Sequence, residues 1–466
     1  MTKTPKATGR VLAAEAAIDP ALIRRLTSLD KGRAPVLIAR KYHRMAEDAF
    51  AFFRGSNHLF QADFPRGLRH FPKVWLNGDL HLENFGTYRG ENRLTYFDIG
   101  DFDDGALGPA SRDLLRFLAG LHLAMPLLDL SPGKVAKLSK IYLAAYRDAL
   151  SSGKALWLER NLATGLIGEL MRKLDKRLDA GPGGSAWLRS RITGDKTDGD
   201  KTDSGKKKAG RNTGKGSRGE DSRRLRLDTG KALPASPKSR KAIEQALAEV
   251  ARQQRKLGHG DWHILDIAWR IAGLGTLGLP RYSVLVQVTP HQADETVLST
   301  EGDLLLLDLK LQPGSVTAPY LKKQPRFASE AARVVAIEKR LQAMNPAFLT
   351  DVRLDGRSYT LRELQPEADK LDLKQIHAEA GHLDATDLEQ AIDMMGRLTA
   401  WAQLRSAGRQ GSVDADSLID FGNRSGWVAD LLAAAARVAE QQTALWHMTR
   451  AWLLAEAGRL TPVDAK

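Results

Sequence analysis

Two short motifs carry side chains whose types and spacing suit phosphoryl transfer. The first reads NGDLHLEN over residues 77–84, and the second reads GDFDD over residues 100–104. Asp79 can accept a proton from a hydroxyl, while Asn84 and Asp101 supply oxygen ligands to a Mg²⁺ ion on the phosphates of a nucleotide. This chemistry needs in-line positioning and cations that offset charge on the transferring group. Each motif alone also fits an acidic loop capping a strand, but both in this order favour the catalytic interpretation.

A glycine-rich segment in the second half of the chain is the next candidate. Gly273, Gly275 and Gly278 form a G-x-G-x-x-G pattern, and a β-rich run follows Pro280. A dinucleotide-binding fold requires a helix directly after such glycines, whereas strand–glycines–strand is the arrangement that covers ATP phosphates in kinases. Small residues let backbone amides approach phosphate oxygens closely. The pattern alone is weak evidence, but its context favours a phosphate-covering hairpin.

A lysine closes an otherwise apolar strand pattern, LLLLDLK over residues 304–310. A buried ammonium is costly without an anionic partner, so we expect Lys310 to bind the α- and β-phosphates of a nucleotide. A glutamate on the next helix would orient it, and Glu330 and Glu338 are both candidates. The alternative is a strand-end lysine that extends to water.

The elements that position these residues can be predicted from hydrophobic periodicity and turn signals. Short strands at 74–76 and 94–97 are expected to form one hairpin, with Asp79 and Asp101 at its ends. Further strands are predicted on both sides of the glycines and at 304–310 and 358–364. Helices are predicted at 36–53, 110–124, 134–150, 155–178, 240–256, 328–344, 387–405 and 427–457. The chain is therefore expected to be α+β, without internal repeats.

Composition is typical of a soluble globular protein. The 466 residues, 42% hydrophobic and 27% charged, are enough for two or three domains. Absence of cysteine excludes disulfides and thiolate metal sites, and residues 1–19 lack the apolar core of a secretory signal. The most apolar stretch, residues 114–130, is interrupted by charges and predicts a buried helix instead of a membrane span. We therefore expect a cytoplasmic protein with no membrane span.

The net charge of +14 is concentrated in one segment. Residues 195–241 contain 15 Lys or Arg against 7 Asp or Glu, with many Gly, Ser and Thr and almost no aromatic residues. We interpret residues 194–241 as a disordered basic linker. Because nucleic-acid binding usually needs stacking aromatic side chains, a nucleic-acid partner is disfavoured.

The motifs together resemble the protein-kinase-like fold, most closely its aminoglycoside-phosphotransferase branch. The shared features are GDLHxxN at 78–84, DFDD at 101–104 and GPASRDL at 108–114. The chain also resembles an uncharacterised bacterial family, domain of unknown function 2252, over most of residues 35–450. That resemblance rests on both acidic motifs, the glycine segment, AFFRG at 51–55, RVV at 333–335 and YTLREL at 359–364.

The kinase-like resemblance assigns roles to individual residues. It implies that Asp103 is an auxiliary acid near the metal ion and that Asp113 is the buried carboxylate supporting the catalytic loop. It also implies that Asp79 is the catalytic base and that Asn84 and Asp101 are the two metal ligands. Lys310 would be the phosphate-binding lysine.

Other residues near the motifs have more than one interpretation or depart from the families. His81 is interpreted as an orienting or packing residue, since no second histidine has ligand spacing. Arg54 can bind a phosphate or an anionic acceptor, or form a structural salt bridge. Asn77 replaces a histidine that packs structurally in kinases, so no chemistry should be lost. Residues 401–405 read WAQLR where the unknown-function family tends to have Ala-His-Ala-Arg, which puts a role for that histidine in doubt.

The order of the motifs is reversed relative to kinases, in which the glycine loop and lysine precede the catalytic loop. We hypothesise a two-lobed, circularly permuted α+β fold, since permutation is tolerated where chain ends lie close together at a surface. The expected units are the catalytic-lobe core with the N-terminal region (1–193), the basic linker (194–241) and the nucleotide-binding β lobe (242–370). C-terminal helices (371–466) are expected to complete the catalytic lobe.

The sequence thus predicts an ATP- and Mg²⁺-dependent phosphotransferase acting on an unidentified hydroxyl- or amino-bearing acceptor, either a small molecule or a protein. One alternative is a nucleotidyl transferase, which the mass of the product would distinguish. Another is a nucleotide-binding pseudokinase that binds ATP without transfer. The last is a basic nucleic-acid-binding protein acting through the linker.

Overall fold

The structure is a computed structural model that describes residues 18–178, 180–181, 184–193, 223–228, 230–257, 260–289, 304–364, 371 and 385–461. These residues form a mixed α+β fold, which confirms the predicted class. Within these ranges, no helix combines the length and the apolar character needed to span a bilayer.

Helices occupy much of both ends of the described chain. In chain order they are α1 (Pro20–Leu26), α2 (Pro35–Glu47), α3 (Ala49–Gly55), α4 (Asn57–Ala62), α5 (Ser111–Ala124), α6 (Pro132–Ser152), α7 (Gly165–Leu178), α8 (Ala186–Arg189), α9 (Pro237–Lys256), α10 (Glu330–Leu341), α11 (Ala385–Arg405), α12 (Ala415–Asn423) and α13 (Gly426–Leu460). The strands are β1 (Lys73–Leu76), β2 (Phe85–Arg89), β3 (Thr95–Ile99), β4 (Ala106–Pro109), β5 (Ala180–Gly181), β6 (Gly184–Ser185), β7 (Ile192–Thr193), β8 (Arg224–Leu225), β9 (Ala232–Pro234), β10 (Asp261–Arg270), β11 (Arg281–Thr289), β12 (Leu304–Leu311), β13 (Thr350–Leu354) and β14 (Arg357–Glu363).

The helical part of the fold packs around one large core in which α5 is almost wholly buried. Helices α6 and α11 approach closely, because a Cβ atom on Gly396 would lie 2.4 Å from the carbonyl oxygen of Tyr142. Buried hydrogen bonds connect the same two helices, at 2.9 Å between the Tyr142 and Thr399 hydroxyls and 2.6 Å from Tyr146 to Gln403. The C-terminal helices are therefore part of the core that supports α5.

A six-stranded antiparallel sheet forms the second part, in the order β13-β14-β12-β11-β10-β9. Strand β12 is buried along its whole length, which explains its apolar sequence. Its odd-numbered leucines pack with α9 on one face, whereas Leu304 and Leu306 belong to the core on the other face. Because side chains alternate along a strand, Asp308 and Lys310 share the face of Leu304 and Leu306.

Two predictions near the acidic motifs are corrected. Strand β1 pairs with β4, and β2 pairs with β3, so Asp79 and Asp101 do not end a single hairpin. Strand β2 was not predicted, because it is short and directly follows the 3₁₀ turn Leu82–Asn84, so it shows no clear hydrophobic periodicity. The predicted helix 36–53 is broken at Asp48, whose extended backbone ends α2 and whose carboxylate caps α3 by accepting the amide of Ala51 at 2.7 Å.

Two further boundaries differ from the prediction. The helix predicted from residue 155 begins only at Gly165. The C-terminal part of the predicted linker, residues 223–228 and 230–241, belongs to the fold, since β9 pairs with β10 and the amide of Leu225 donates to Asp266 at 2.9 Å. The average composition of the segment did not reveal its short apolar stretches. The rest of the predicted linker, residues 194–222 and 229, lies outside the described residues.

Candidate active site

The loop after β1 is fixed by a carboxylate and by a glycine. Asp113, in the first turn of α5, accepts the backbone amides of Asn77 and Gly78 at 2.7 and 2.9 Å. Burial raises the pKa of Asp113 to about 6. Gly78 has a φ of +86°, and a Cβ atom there would lie 2.1 Å from the carbonyl oxygen of Asp104. Only glycine allows the loop to lie against the second acidic motif in this way.

Asp79 forms a partly buried ion pair with an arginine from α5. Its side chain is 21% exposed, and Nε and Nη2 of Arg116 both lie 2.7 Å from its Oδ1. Arg116 is wholly buried, donates to the carbonyl of Phe53 at 2.8 Å, and stacks 3.5 Å from the ring centroid of Phe53. Burial raises the pKa of Asp79 to about 7; Arg116 opposes this rise, and the charges of Asp104 and Asp101 add to it. A carboxylate that titrates near neutral pH suits a general base.

The other polar residues of the loop surround Asp79. The amide nitrogen of Asn84 donates to the carbonyl of Asp79 at 2.8 Å, so its amide oxygen is the atom that can bind a cation. Nε2 of His81 lies 3.9 Å from Oδ2 of Asp79, and its ring packs edge-on against Phe50 at 5.8 Å. Among the described residues, no group of three or more His, Cys, Asp or Glu has the spacing to hold a metal ion. The structure therefore places His81 in packing contact beside Asp79.

A lysine from the second half of the chain reaches the acidic motif of the first half. Nζ of Lys310 lies 3.0 Å from Oδ1 of Asp101 and also pairs with Asp103. Asp101 has a left-handed φ of +58°, and its carbonyl accepts the side-chain amide of Asn77 at 3.0 Å. Burial lowers the pKa of Lys310, but Asp101 and Asp103 more than offset this effect and raise it, so the ammonium stays charged.

The expected glutamate partner of Lys310 is corrected. In the part of the chain that the structure describes, Glu338 accepts Nη1 of Arg362 at 2.9 Å, and Glu330 pairs with Arg333 at 2.7 Å near the surface. Neither glutamate contacts Lys310. The carboxylates of the acidic motif take that position, because the turn after β3 lies against the end of β12.

The glycine segment forms the predicted hairpin between β10 and β11 and faces the site in part: Gly273, Leu274 and Leu277 line the cavity between these elements, whereas Gly275 and Gly278 do not. Leu274 packs with residues of α2, α3 and α13. Nη1 of Arg33 donates to the carbonyls of Gly275 and Leu277 at 2.8 and 3.0 Å, and a Cβ atom on Gly278 would lie 3.1 Å from Arg33. The expectation that all three glycines cover phosphates is corrected for Gly275 and Gly278, since the bonds from Arg33 and the packing of Leu274 hold this part of the loop against the helices.

A cavity of about 880 Å³ lies between these elements. It is lined by Asn84, Asp101, Lys310 and Gly273, and its basic side chains come from both parts of the fold: Arg40, Arg44, Arg54, Lys231, Arg270, Arg281 and Arg362. As far as the described residues define this lining, Asp79, Asp103, Gly275 and Gly278 are not in it. Its size is within the range of small-molecule sites.

The structure confirms the salt-bridge interpretation of Arg54. Its guanidinium pairs with Glu83 of the first acidic motif, and the side chain also lines the cavity. The salt bridge therefore ties α3 to the loop that carries Asp79.

A protein-family model described as "Uncharacterized protein conserved in bacteria (DUF2252)" matches residues 33–451. The chain belongs to this family. The DUF2252 match includes both acidic motifs, the glycine hairpin and Lys310, so the whole candidate site is a feature of the matched region. No curated protein and no solved structure gives a significant match.

Two residues of the DUF2252 site were missed from the sequence. Arg116 interrupts an apolar helix one turn after Arg112, and such a charge is a signal for a buried partner. Asp104 was recognised as a member of the second acidic motif, but no role of its own was predicted for it. Its carboxylate accepts the side-chain amide of Asn57 at 2.7 Å and the backbone amide of Val316 at 3.1 Å. It therefore joins the acidic motif to the segment that follows β12.

Proposed function

We propose that this DUF2252 chain is an ATP- and Mg²⁺-dependent phosphotransferase that acts on a hydroxyl- or amino-bearing acceptor. The observation that carries the proposal is the contact of Lys310 with Asp101 and Asp103 across 209 positions of sequence. It brings a candidate phosphate-binding ammonium to candidate metal-binding carboxylates, and Lys310 and Asp101 lie at the wall of a cavity of small-molecule size. Phosphoryl transfer depends on cations placed in this way around the phosphates.

We further propose a permuted, two-lobed kinase-like arrangement. The run from β10 through the glycine hairpin, β11, β12 and α10 follows the kinase order of glycine loop, lysine and helix. The loop with Asp79 comes from the helical part, which precedes this run in the chain. The reversed order of two otherwise familiar segments supports a permutation.

The donor set fits Mg²⁺. Asn84 offers an amide oxygen, and Asp101 and Asp103 offer carboxylates, which are hard ligands of the kind that Mg²⁺ prefers. Mg²⁺ commonly binds through one or two carboxylates plus water and phosphate oxygens, so a cluster of three acidic side chains is not required. When bound there, the ion would offset negative charge on the phosphates.

The side chains of the chain itself have separable roles in this proposal. Asp79 accepts the proton of the acceptor group, and burial raises its pKa to about 7, in the range that suits a general base at neutral pH. Arg116 fixes the orientation of the Asp79 carboxylate through its two contacts. Lys310 holds phosphate oxygens, since its ammonium remains charged despite burial.

The substitution Asp79→Asn tests the proposal. We expect consumption of the γ-phosphate to be abolished while the affinity for MgATP is retained, because the base is removed without changing the cation cluster. Turnover is followed by ADP formation and by product mass with a panel of acceptors, and affinity is measured by calorimetry. Asp393→Asn is the control, since Asp393 forms a partly buried pair with Arg397 on α11 and does not line the cavity.

Each outcome separates the candidate functions. Wild-type turnover in Asp79→Asn would refute the assignment of the base. Transfer of the nucleotidyl group would identify a nucleotidyl transferase by the mass of its product. Binding of MgATP by the wild-type protein without any transfer would identify a pseudokinase.

A further inference from the structure

Two arginines flank the glycine hairpin at its base. Arg270 is the last residue of β10, and Arg281 is the first residue of β11, so the two bracket the loop. Both side chains line the cavity and are only 12% and 13% exposed. Strand pairing places Arg281 directly opposite Lys310 on β12. The base of the hairpin, and not its tip, therefore presents cations to the candidate site.

A buried carboxylate holds Arg281 in one orientation. Nε and Nη2 of Arg281 donate to Oδ1 and Oδ2 of Asp308 at 2.7 and 2.5 Å. Asp308 is 3% exposed, and the neighbouring guanidinium groups hold its pKa well below its usual range, so it remains ionised. This pairing uses one edge of the guanidinium, and the N–H groups of the other edge remain for a second planar or tetrahedral oxyanion.

The charges around Arg281 belong to the same cluster as Lys310. Burial lowers the pKa of Arg281, but the charges of Asp308, Asp101 and Asp103 more than offset this effect and raise it, so the guanidinium interacts with the acidic motif. Of the three glycines, Gly273 lines the cavity, whereas Gly275 and Gly278 lie against the helices, so these two do not supply the expected phosphate-binding amides.

We infer that Arg281, positioned by Asp308, binds phosphate oxygens beside Lys310 and takes the place of the Gly275 and Gly278 amides in the phosphate clamp. The inference rests on the proposed function for the source of the phosphate, which is a nucleoside triphosphate. A fixed, bidentate guanidinium is better suited to a phosphate group than a flexible ammonium. A phosphate group on the acceptor has the same chemistry, and the experiment distinguishes the two sources.

The test compares Arg281→Gln with the wild-type protein in calorimetric titrations with MgATP, adenosine and tripolyphosphate. We expect the Kd for MgATP to rise about 10- to 100-fold, as for loss of a hydrogen bond to a charged group. The affinity for adenosine should stay unchanged, and tripolyphosphate binding should be lost. Arg240→Gln is the matched control, because Arg240 pairs with a strand aspartate, Asp266, at 2.7 Å but does not line the cavity.

Because Arg281→Gln leaves Asp308 with fewer partners, Arg281→Lys is measured as well. It keeps the charge and loses the planar fork, and it should weaken MgATP binding several-fold while thermal unfolding shows an intact fold. An MgATP Kd within twofold of the wild-type value in a folded Arg281 variant would overturn the inference.

The failure of the proposed function gives a different result. If the wild-type protein binds no MgATP or adenosine, the proposed function fails. Tripolyphosphate binding that is lost in Arg281→Gln would then assign the clamp to a phosphorylated acceptor. If tripolyphosphate does not bind either, the clamp is refuted together with the function.

Discussion

Replacing Arg116 with glutamine should shift the pH dependence of activity without removing the base. Both Nε and Nη2 of Arg116 lie 2.7 Å from the Asp79 carboxylate, and the pKa of Asp79 is about 7 in their presence. An adjacent opposite charge lowers a carboxylate pKa by about 1 to 3. Loss of Arg116 should therefore move the acidic limb of kcat/KM from about pH 7 to about pH 8–10. At pH 7 the ionised fraction, and with it kcat/KM, should fall by about 5- to 500-fold and recover at high pH.

The assay is a pH profile of kcat/KM, with far-UV circular dichroism at each pH to confirm folding. Breaking a buried pair costs about 3–5 kcal/mol of stability. The control must therefore also replace a buried arginine, but it must leave the ion pair between Arg116 and Asp79 intact. Arg112→Gln meets this requirement. Arg112 is equally buried one turn earlier on α5, stacks 4.3 Å from the ring centroid of Phe64, and bonds to Gln61 instead of Asp79. An unshifted limb in folded Arg116→Gln, or activity that does not recover at high pH, would refute this reasoning.

Four other substitutions test the geometry of the site and its support. Burial raises the pKa of Asp113 to about 6; the stability that its proton provides is complete below about pH 4 and is lost as the pH rises towards 6. Asp113 should contribute up to about 3 kcal/mol to the stability lost in thermal unfolding over this range, and Asp113→Asn should reduce the slope by that contribution; equal slopes would contradict the assignment. Gly78→Ala should abolish activity, because its Cβ atom would lie 2.1 Å from a carbonyl oxygen, whereas Gly275→Ala should retain it, because the nearest atom is 3.9 Å away. Equal effects in an activity assay would refute this contrast. Gly396→Ala should cost about 1–3 kcal/mol in urea unfolding, since its Cβ atom would lie 2.4 Å from Tyr142; an unchanged midpoint would show that α6 and α11 can separate freely.

Elements with strong local signals were predictable from the sequence. The apolar run of β12 predicted a buried strand, and its terminal lysine was expected to need an anionic partner. The glycine segment followed by β-rich sequence predicted a hairpin, which β10 and β11 form. Helix α5 was predicted from periodicity and burial. These features depend on side-chain alternation and turn chemistry, which are local properties of the chain.

Contacts between residues that are far apart in the sequence were not predictable. The sequence proposed two glutamates for Lys310, and the structure supplies Asp101 and Asp103, because which carboxylate lies nearest is decided by packing between distant segments. The direction of the glycine loop is set by burial of Leu274 among helices from both ends of the chain. Strand β13 was missed although Asp355-Gly356, with positive φ at both residues, is a strong hairpin signal.

A crystal structure with Mg²⁺ and a non-hydrolysable ATP analogue tests the central claim most directly. The prediction is that phosphate oxygens lie within hydrogen-bond distance of Nζ of Lys310, with the metal ion bound to oxygens of Asn84 and Asp101. A triphosphate bound away from this cavity, or a protein that binds no nucleotide at saturating concentration, would contradict it.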